Sequence, residues 1–198
     1  MSFSDYLSAH GYSVPPDWIF IQLGTNALFG IYSDREAEAA SAASVSQLER
    51  MIAMSRSAGA VPKIGIMLVP PPSRDQDAAG ANYGSGTNRD RFKRNSVICV
   101  RKYLEAFGNR ESEGIYIVPT NVALDTVNNM VRKKVAVNSC SGYTSSDRKE
   151  PVMVTRQGNL VHPSYAGHMQ IGDAVFAFLK AHHHAVHVVC QHFCGQAR

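Results

Sequence analysis

Three short runs of the chain are apolar nearly throughout: residues 18–23, 64–69 and 115–118. A strand with one wet face alternates apolar and polar side chains, whereas a strand covered on both faces need not. The three runs therefore predict buried strands. Each meets a breaker at its end: Gly24, the triplet Pro70-Pro71-Pro72, and Pro119. Between them the period turns helical. Ser33, Asp34, Arg35 and Glu36 form a capping box, in which hydroxyl and carboxylate satisfy each other's free backbone amides. It predicts a helix with Val45, Leu48 and Ile52 on one face, ending at Gly59. A second helix is expected over residues 89–107, with Phe92, Ile98, Leu104 and Phe107 apolar and Gly108 as its stop. A third starts near Ser164 and carries Ile171, Val175 and Phe178 on one face.

Strand, helix, strand, helix, strand is the order of an α/β fold with a parallel sheet. The rest of the chain is less patterned. Residues 1–17 read as a lead-in with an amphipathic piece at Tyr6 and Leu7. Residues 73–88 are polar and glycine-rich, and residues 132–158 show little periodicity. Both are expected to be loop, apart from a short strand at 135–137. Residues 121–129 read as a short helix or irregular excursion.

With 198 residues, 44% of them hydrophobic, the chain can bury one core. We divide it into a domain over 1–181 and a tail over 182–198 that carries histidines and cysteines. The net charge of +4 is mild, and the basic stretches at 89–94 and 132–134 lack interleaved aromatics. A solvated face is the simpler account, and no nucleic-acid partner is expected. The four cysteines are too few and scattered for a disulfide scaffold. Neither a signal peptide nor an apolar run of membrane-spanning length is visible. As written the chain reads as cytoplasmic; as a fragment it would be virion-associated or extracellular. Histidine and thiolate are good zinc ligands, but the spacing in the tail matches no zinc pattern. No metal and no organic cofactor are expected.

The chemistry concentrates in residues 158–164, where His162 stands directly before Pro163. The residue before a proline is pushed out of the helical region, and Pro163 or Ser164 can then open the last helix. That leaves an imidazole on a rigid corner, a suitable place for a general base, although a surface His-Pro turn has the same local pattern. Ligand sites of open α/β sheets lie off the carboxyl ends of the strands. Asn26 follows the first predicted strand at once, and His162 precedes a helix that must pack on the sheet. Both can reach that edge.

Two blocks resemble the SGNH, or GDSL-type, hydrolases, which are α/β serine esterases with a flavodoxin-like, three-layer parallel sheet. Gly24-Thr25-Asn26-Ala27 is similar to the family's Gly-x-Asn-Asp block after a buried strand. Asn159-Leu160-Val161-His162-Pro163 is similar to its Asp-x-x-His-Pro block before the final helix. The lead-in at residues 3–7, the Asn82-Tyr83-Gly84 loop and the helix start at 167–173 resemble a branch common in phage and gut-bacterial sequences. By position, the resemblance implies that His162 is the base taking a serine proton and Asn26 a side-chain donor of the oxyanion hole. Gly24, Thr25 and Tyr83 would line the substrate cleft. The implied activity is removal of acyl groups, often acetyl, from a carbohydrate, a lipid or a small ester through an acyl-serine.

The chain departs from the family at three points. Asn159 stands where an aspartate usually orients the histidine; an amide can accept a hydrogen bond but cannot offset imidazolium charge. Ala27 replaces a second aspartate. The family's Gly-Asp-Ser nucleophile block, on a strand preceding residues 18–23, has no counterpart here, and Ser2, Ser4, Ser8 and Ser13 fit poorly in context. The resemblance therefore implies an N-terminally truncated domain that lacks its first strands. Residues 18–23 would form an apolar edge open to another chain. A second chain completing the sheet is one expectation; a catalytically inactive remnant acting as a carbohydrate-binding or assembly module is the alternative.

Overall fold

The computed structural model describes residues 2–57, 61–75, 88–136 and 153–194. All three apolar runs are strands. β1 (Trp18–Gln22), β2 (Lys63–Met67) and β3 (Ile115–Val118) form a parallel sheet in that spatial order. The helices expected between them are present: α2 (Asp34–Arg56) and α3 (Arg89–Phe107). Before the sheet lies α1 (Phe3–Ala9), capped by Ser2 and anchored by buried Leu7. After β3 come α4 (Thr120–Ala123), the strands β4 (Arg132–Ala136) and β5 (Met153–Gln157), and α5 (Tyr165–Cys194).

Side chains divide between the two faces of the sheet with the strand period of two. Ile21, Ile64, Ile66 and Ile115 share a core with Leu48 and Ile52 of α2 and with Tyr103 and Phe107 of α3. On the other face Trp18, Phe20 and Tyr116 meet Phe178 and His182 of α5, with ring centroids 5.0–6.3 Å apart for the pairs joining sheet to helix. Gly65 lies level with Phe20 and Tyr116 in the register. A Cβ at Gly65 would come 2.5 Å from the Phe20 ring, so the glycine inside this apolar strand makes room for an aromatic neighbour.

The capping box at Ser33 forms as expected. Ser33 Oγ accepts from the Glu36 amide at 3.2 Å, and the Glu36 carboxylate accepts from the Ser33 amide at 3.0 Å. Asn88 caps α3 by accepting from the amides of Asp90 and Arg91, and Gly108 ends it. Leu104, one of the apolar positions of α3, is 45% exposed. The buried stripe instead takes in Asn95, Cys99 and Tyr103 beside Phe92, Ile98 and Phe107.

Residues 132–158 are not all loop: β4 and β5 pair antiparallel over five residue pairs, from Arg132↔Gln157 to Ala136↔Met153. Arg132, Lys133, Lys134 and Met153 are exposed, so these strands never needed the apolar run that marks β1 to β3. Their anchor is polar. Buried Gln157 accepts from the Asp75 amide at 2.8 Å and donates to the Val127 carbonyl at 3.0 Å. The last helix starts at Tyr165, close to expectation, and runs on past residue 181 to Cys194.

Candidate functional site

β1 ends by turning away from the sheet. Gly24 holds φ at +112°, a value that side-chain-bearing residues rarely adopt, and a Cβ there would lie 2.7 Å from the Tyr103 hydroxyl and 3.2 Å from Cys99 Sγ. Tyr103 also donates to the Leu23 carbonyl at 3.0 Å. Burial pushes its hydroxyl well above the ordinary range, so it stays protonated as that donor. The turn that follows, Thr25–Leu28, is pinned by fully buried Leu28, whose carbonyl accepts from Asn95 Nδ2 at 3.3 Å. Asn26, on the first residues of this turn, is exposed.

His162 is positioned from several directions. Asn159 Oδ1 accepts from the backbone amides of Val161 at 3.0 Å and His162 at 2.9 Å, making a tight turn. Leu160 is fully buried beneath that turn, and its carbonyl accepts from the Ser73 amide at 2.7 Å. Pro163 bridges to Met130, and the Ser164 amide donates to the Asn129 carbonyl at 2.9 Å before α5 begins. His162 itself is exposed. Asn159 thus spends its amide oxygen on the backbone that carries the imidazole.

The two loops open on one cleft of about 580 Å³, lined by residues 22–27 on one side and by Val161, His162, Pro163, His168 and Ile171 on another. Its third wall is α2, through Ala40, Ala43, Ser44 and Gln47. Gly24, Thr25, Asn26 and His162 are brought together here; Tyr83 lies outside the described residues. The hydroxyls lining the cleft belong to Thr25 and Ser44. Ser44 is only 6% exposed and already gives its proton to the Ala40 carbonyl at 3.0 Å. Sequence reasoning passed over this α2 wall, since small residues along a helix carry no chemical signature. His168, one turn after Ser164 on α5, lines the cleft as well.

Other carboxylates and hydroxyls are placed differently. Asp125 accepts from the Asn128 side chain at 2.8 Å and from the amides of Asn128 and Val127, which hold its carboxyl below the usual range. It caps its own turn. Asp173 is exposed on α5, and Ser73 is fully buried with its hydroxyl unpartnered. Among the described residues no cluster of three or more His, Cys, Asp or Glu could hold a metal ion. None of the described helices is long and apolar enough to cross a membrane.

No family model matches the sequence, and no curated protein matches it. A solved structure from Streptococcus pneumonia, assigned provisionally as a platelet activating factor, is similar in fold, with a TM-score of 0.51 at 18% identity. The likeness covers 89% of this chain and 65% of that one, so the chain spans less than two thirds of that structure's length. At this identity the likeness concerns the fold: a mixed α/β chain whose three-stranded parallel sheet is flanked by helices.

Proposed function

We propose that this chain is the base-and-oxyanion portion of an ester hydrolase of the SGNH type, on a flavodoxin-like sheet that lacks its first strands. The observation that carries the reading is that the Gly24–Asn26 turn and the His162 corner, far apart in sequence, line one cleft off the carboxyl end of β1. His162 would take a proton from an attacking hydroxyl, and Asn26 would donate to the oxyanion as charge develops on it. Asn159 serves that base through the backbone, by fixing the turn. The substrate class is an acyl ester, either an acetylated carbohydrate or a lipid or small ester. The streptococcal structure's name, which refers to platelet activating factor, fits the lipid side of that class.

An oxyanion donor and a base retain part of their effect on water attack even without the nucleophile. The purified chain should therefore hydrolyse p-nitrophenyl acetate above the buffer rate, without a burst of nitrophenol. Asn26→Ala should remove most of that excess, on the order of 10²-fold for a full oxyanion donor, and His162→Ala should remove it too. A burst would place the nucleophile within this chain. Equal rates for the chain, both variants and buffer would sink the hydrolase reading in favour of a glycan-binding or assembly module. The near-buried, already bonded hydroxyl of Ser44 is what keeps that second reading in play.

A further inference from the structure

The β4–β5 ribbon holds four of the chain's 20 basic residues and none of its 16 acidic ones, which leaves the remaining residues balanced at 16 of each. The net charge of +4 is thus collected on one small element. In the antiparallel register Lys133 stands opposite Arg156 on one face, and Arg132 and Lys134 stand on the other. Arg132, Lys133 and Lys134 are exposed, and none of them joins an ion pair among the described residues. Asp75, at the foot of the ribbon, accepts from the Gln157 amide at 3.2 Å instead. The residues joining the two strands, 137–152, carry Asp147 and Glu150 against Arg148 and Lys149, so they add no net charge.

This charge adjoins the cleft. The Gly158 amide donates to the Val131 carbonyl at 2.8 Å, and Met130 bridges to Pro163, so the foot of the ribbon is laced to the corner that carries His162. Lys134 stands about 10 Å along β4 from Val131, at the usual rise of a strand. The cleft lining itself, among the described residues, includes no carboxylate, lysine or arginine. A neutral pocket flanked by a basic ribbon suits a ligand whose charges lie beside the group held in the pocket. Two further features narrow its class. Successive side chains of a strand point to opposite faces, so the ammonium groups of Lys133 and Lys134 do not converge on one small anion; they suit charges spaced along a polymer. Neither strand carries an aromatic residue on which a nucleic-acid base could stack. Among the ribbon's described side chains Met153 alone is large, apolar and exposed, too little to seat it in a lipid interface.

We infer that the ribbon binds an anionic polysaccharide through Arg132, Lys133 and Lys134, holding it with an esterified sugar turned into the cleft. The anionic groups are carboxylate or sulfate, both of which pair with ammonium and guanidinium groups. The binding stands on the ribbon alone; the placing of the ester in the cleft rests on the ester-hydrolase reading. On that reading the ribbon lowers KM for charged chains and leaves kcat alone, because its side chains hold the polymer equally before and during reaction.

The test uses the full chain and three polymers with one backbone: dextran, carboxymethyl dextran and dextran sulfate. Fluorescence anisotropy should show binding of the charged polymers, weakening as salt rises, and none of dextran. Lys133→Gln combined with Lys134→Gln should weaken that binding about thirtyfold at low salt. Lys93→Gln combined with Lys180→Gln removes the same charge from exposed sites on α3 and α5 and should leave it unchanged. Binding of one charged polymer and not the other would uphold the site and name its anionic group. Equal weakening by the two double variants would reduce the effect to net charge and overturn the site, as would no binding of either charged polymer. Tighter binding of single-stranded DNA or of phosphatidylserine vesicles than of both dextran derivatives would overturn it too. For the ester, O-acetylated carboxymethyl dextran should be cleaved with a lower KM than O-acetylated dextran, and the Lys133 and Lys134 double variant should erase the difference with kcat unchanged. Binding with no acetate released from either polymer or from p-nitrophenyl acetate would sink the hydrolase reading and uphold the polysaccharide site.

Discussion

β1 and β2 are both five residues long, are largely apolar, and bond to each other along their whole length. Their surroundings nevertheless differ. In β2, Ile64, Gly65 and Ile66 are all buried; in β1 only Ile21 is, and Trp18, Ile19 and Phe20 stay half-covered. A sequence pattern reports that a strand expects cover on both faces. Whether it gets neighbours on both edges is a matter of topology. The gap between what β1 expects and what it receives is the most informative feature of this protein, because the open edge leads straight to the cleft.

The sharpest way to probe the contrast is a matched truncation. Ile66→Ala, at a fully buried position under α2 and α3, should cost about 3–4 kcal/mol in chemical unfolding. Ile19→Ala, on the half-covered edge, should cost about 1 kcal/mol, since less area leaves water on folding. Equal losses would mean that the β1 edge is covered in solution, and the contrast would collapse.

The edge strand ends more rigidly than it begins, and α3 is the reason. Gly24 is held between an unusual φ and the Tyr103 hydroxyl, so Gly24→Ala should destabilise by about 2 kcal/mol and displace the Asn26 turn. The ester hydrolysis attributed to Asn26 should fall with it. Tyr103 and Cys99 would have to move to accommodate a methyl group. If Gly24→Ala matched the parent in both stability and rate, the turn would owe nothing to the packed side of the sheet.

Much of this frame was legible from residues alone. The strands are apolar runs stopped by glycine or proline, α2 announces its start through Ser33, and α3 its stop through Gly108. Local chemistry fixes these features, so sequence carries them. Of the β4–β5 pair only a short strand at 135–137 was legible, because its anchor is Gln157, whose partners Asp75 and Val127 lie far off in sequence. Residue type alone does not mark the buried stripe of α3: apolar Leu104 is exposed, whereas Asn95, bonded to the carbonyls of Leu28 and Ile31, takes an interior place that its polarity would not predict. That Asn26 and His162 line one cleft was expected from their places after β1 and before the last helix. The α2 wall was not, since Ala40, Ala43 and Ser44 become cleft residues only once β1 is known to lie at an edge.

The smallest expected effect concerns the packed side, where ion pairs tie α2 to α3. Asp34 receives Arg91 at 2.8 Å and Arg94 Nε at 2.7 Å, while Glu38 receives Arg101 at 2.7 Å. The Arg94 and Arg91 guanidinium groups hold the Asp34 carboxyl well below the usual carboxylate range. A carboxyl whose folded pKa is lowered adds stability above its unfolded value, about pH 4, and loses it as acid protonates the folded state. The Asp34 side chain is 45% exposed, so the contribution is small and screened by salt. Asp34→Asn should therefore unfold slightly more easily than the parent at pH 7 in urea, and the difference should shrink below about pH 4. Because these pairs lie between α2 and α3, acid should loosen that side while leaving the protection of β1-edge amides, relative to their intrinsic exchange rates at each pH, unchanged. A parent and variant that stay equally far apart into strong acid would detach Asp34 from the acid response. The stability of the packed side would then rest on its apolar core alone.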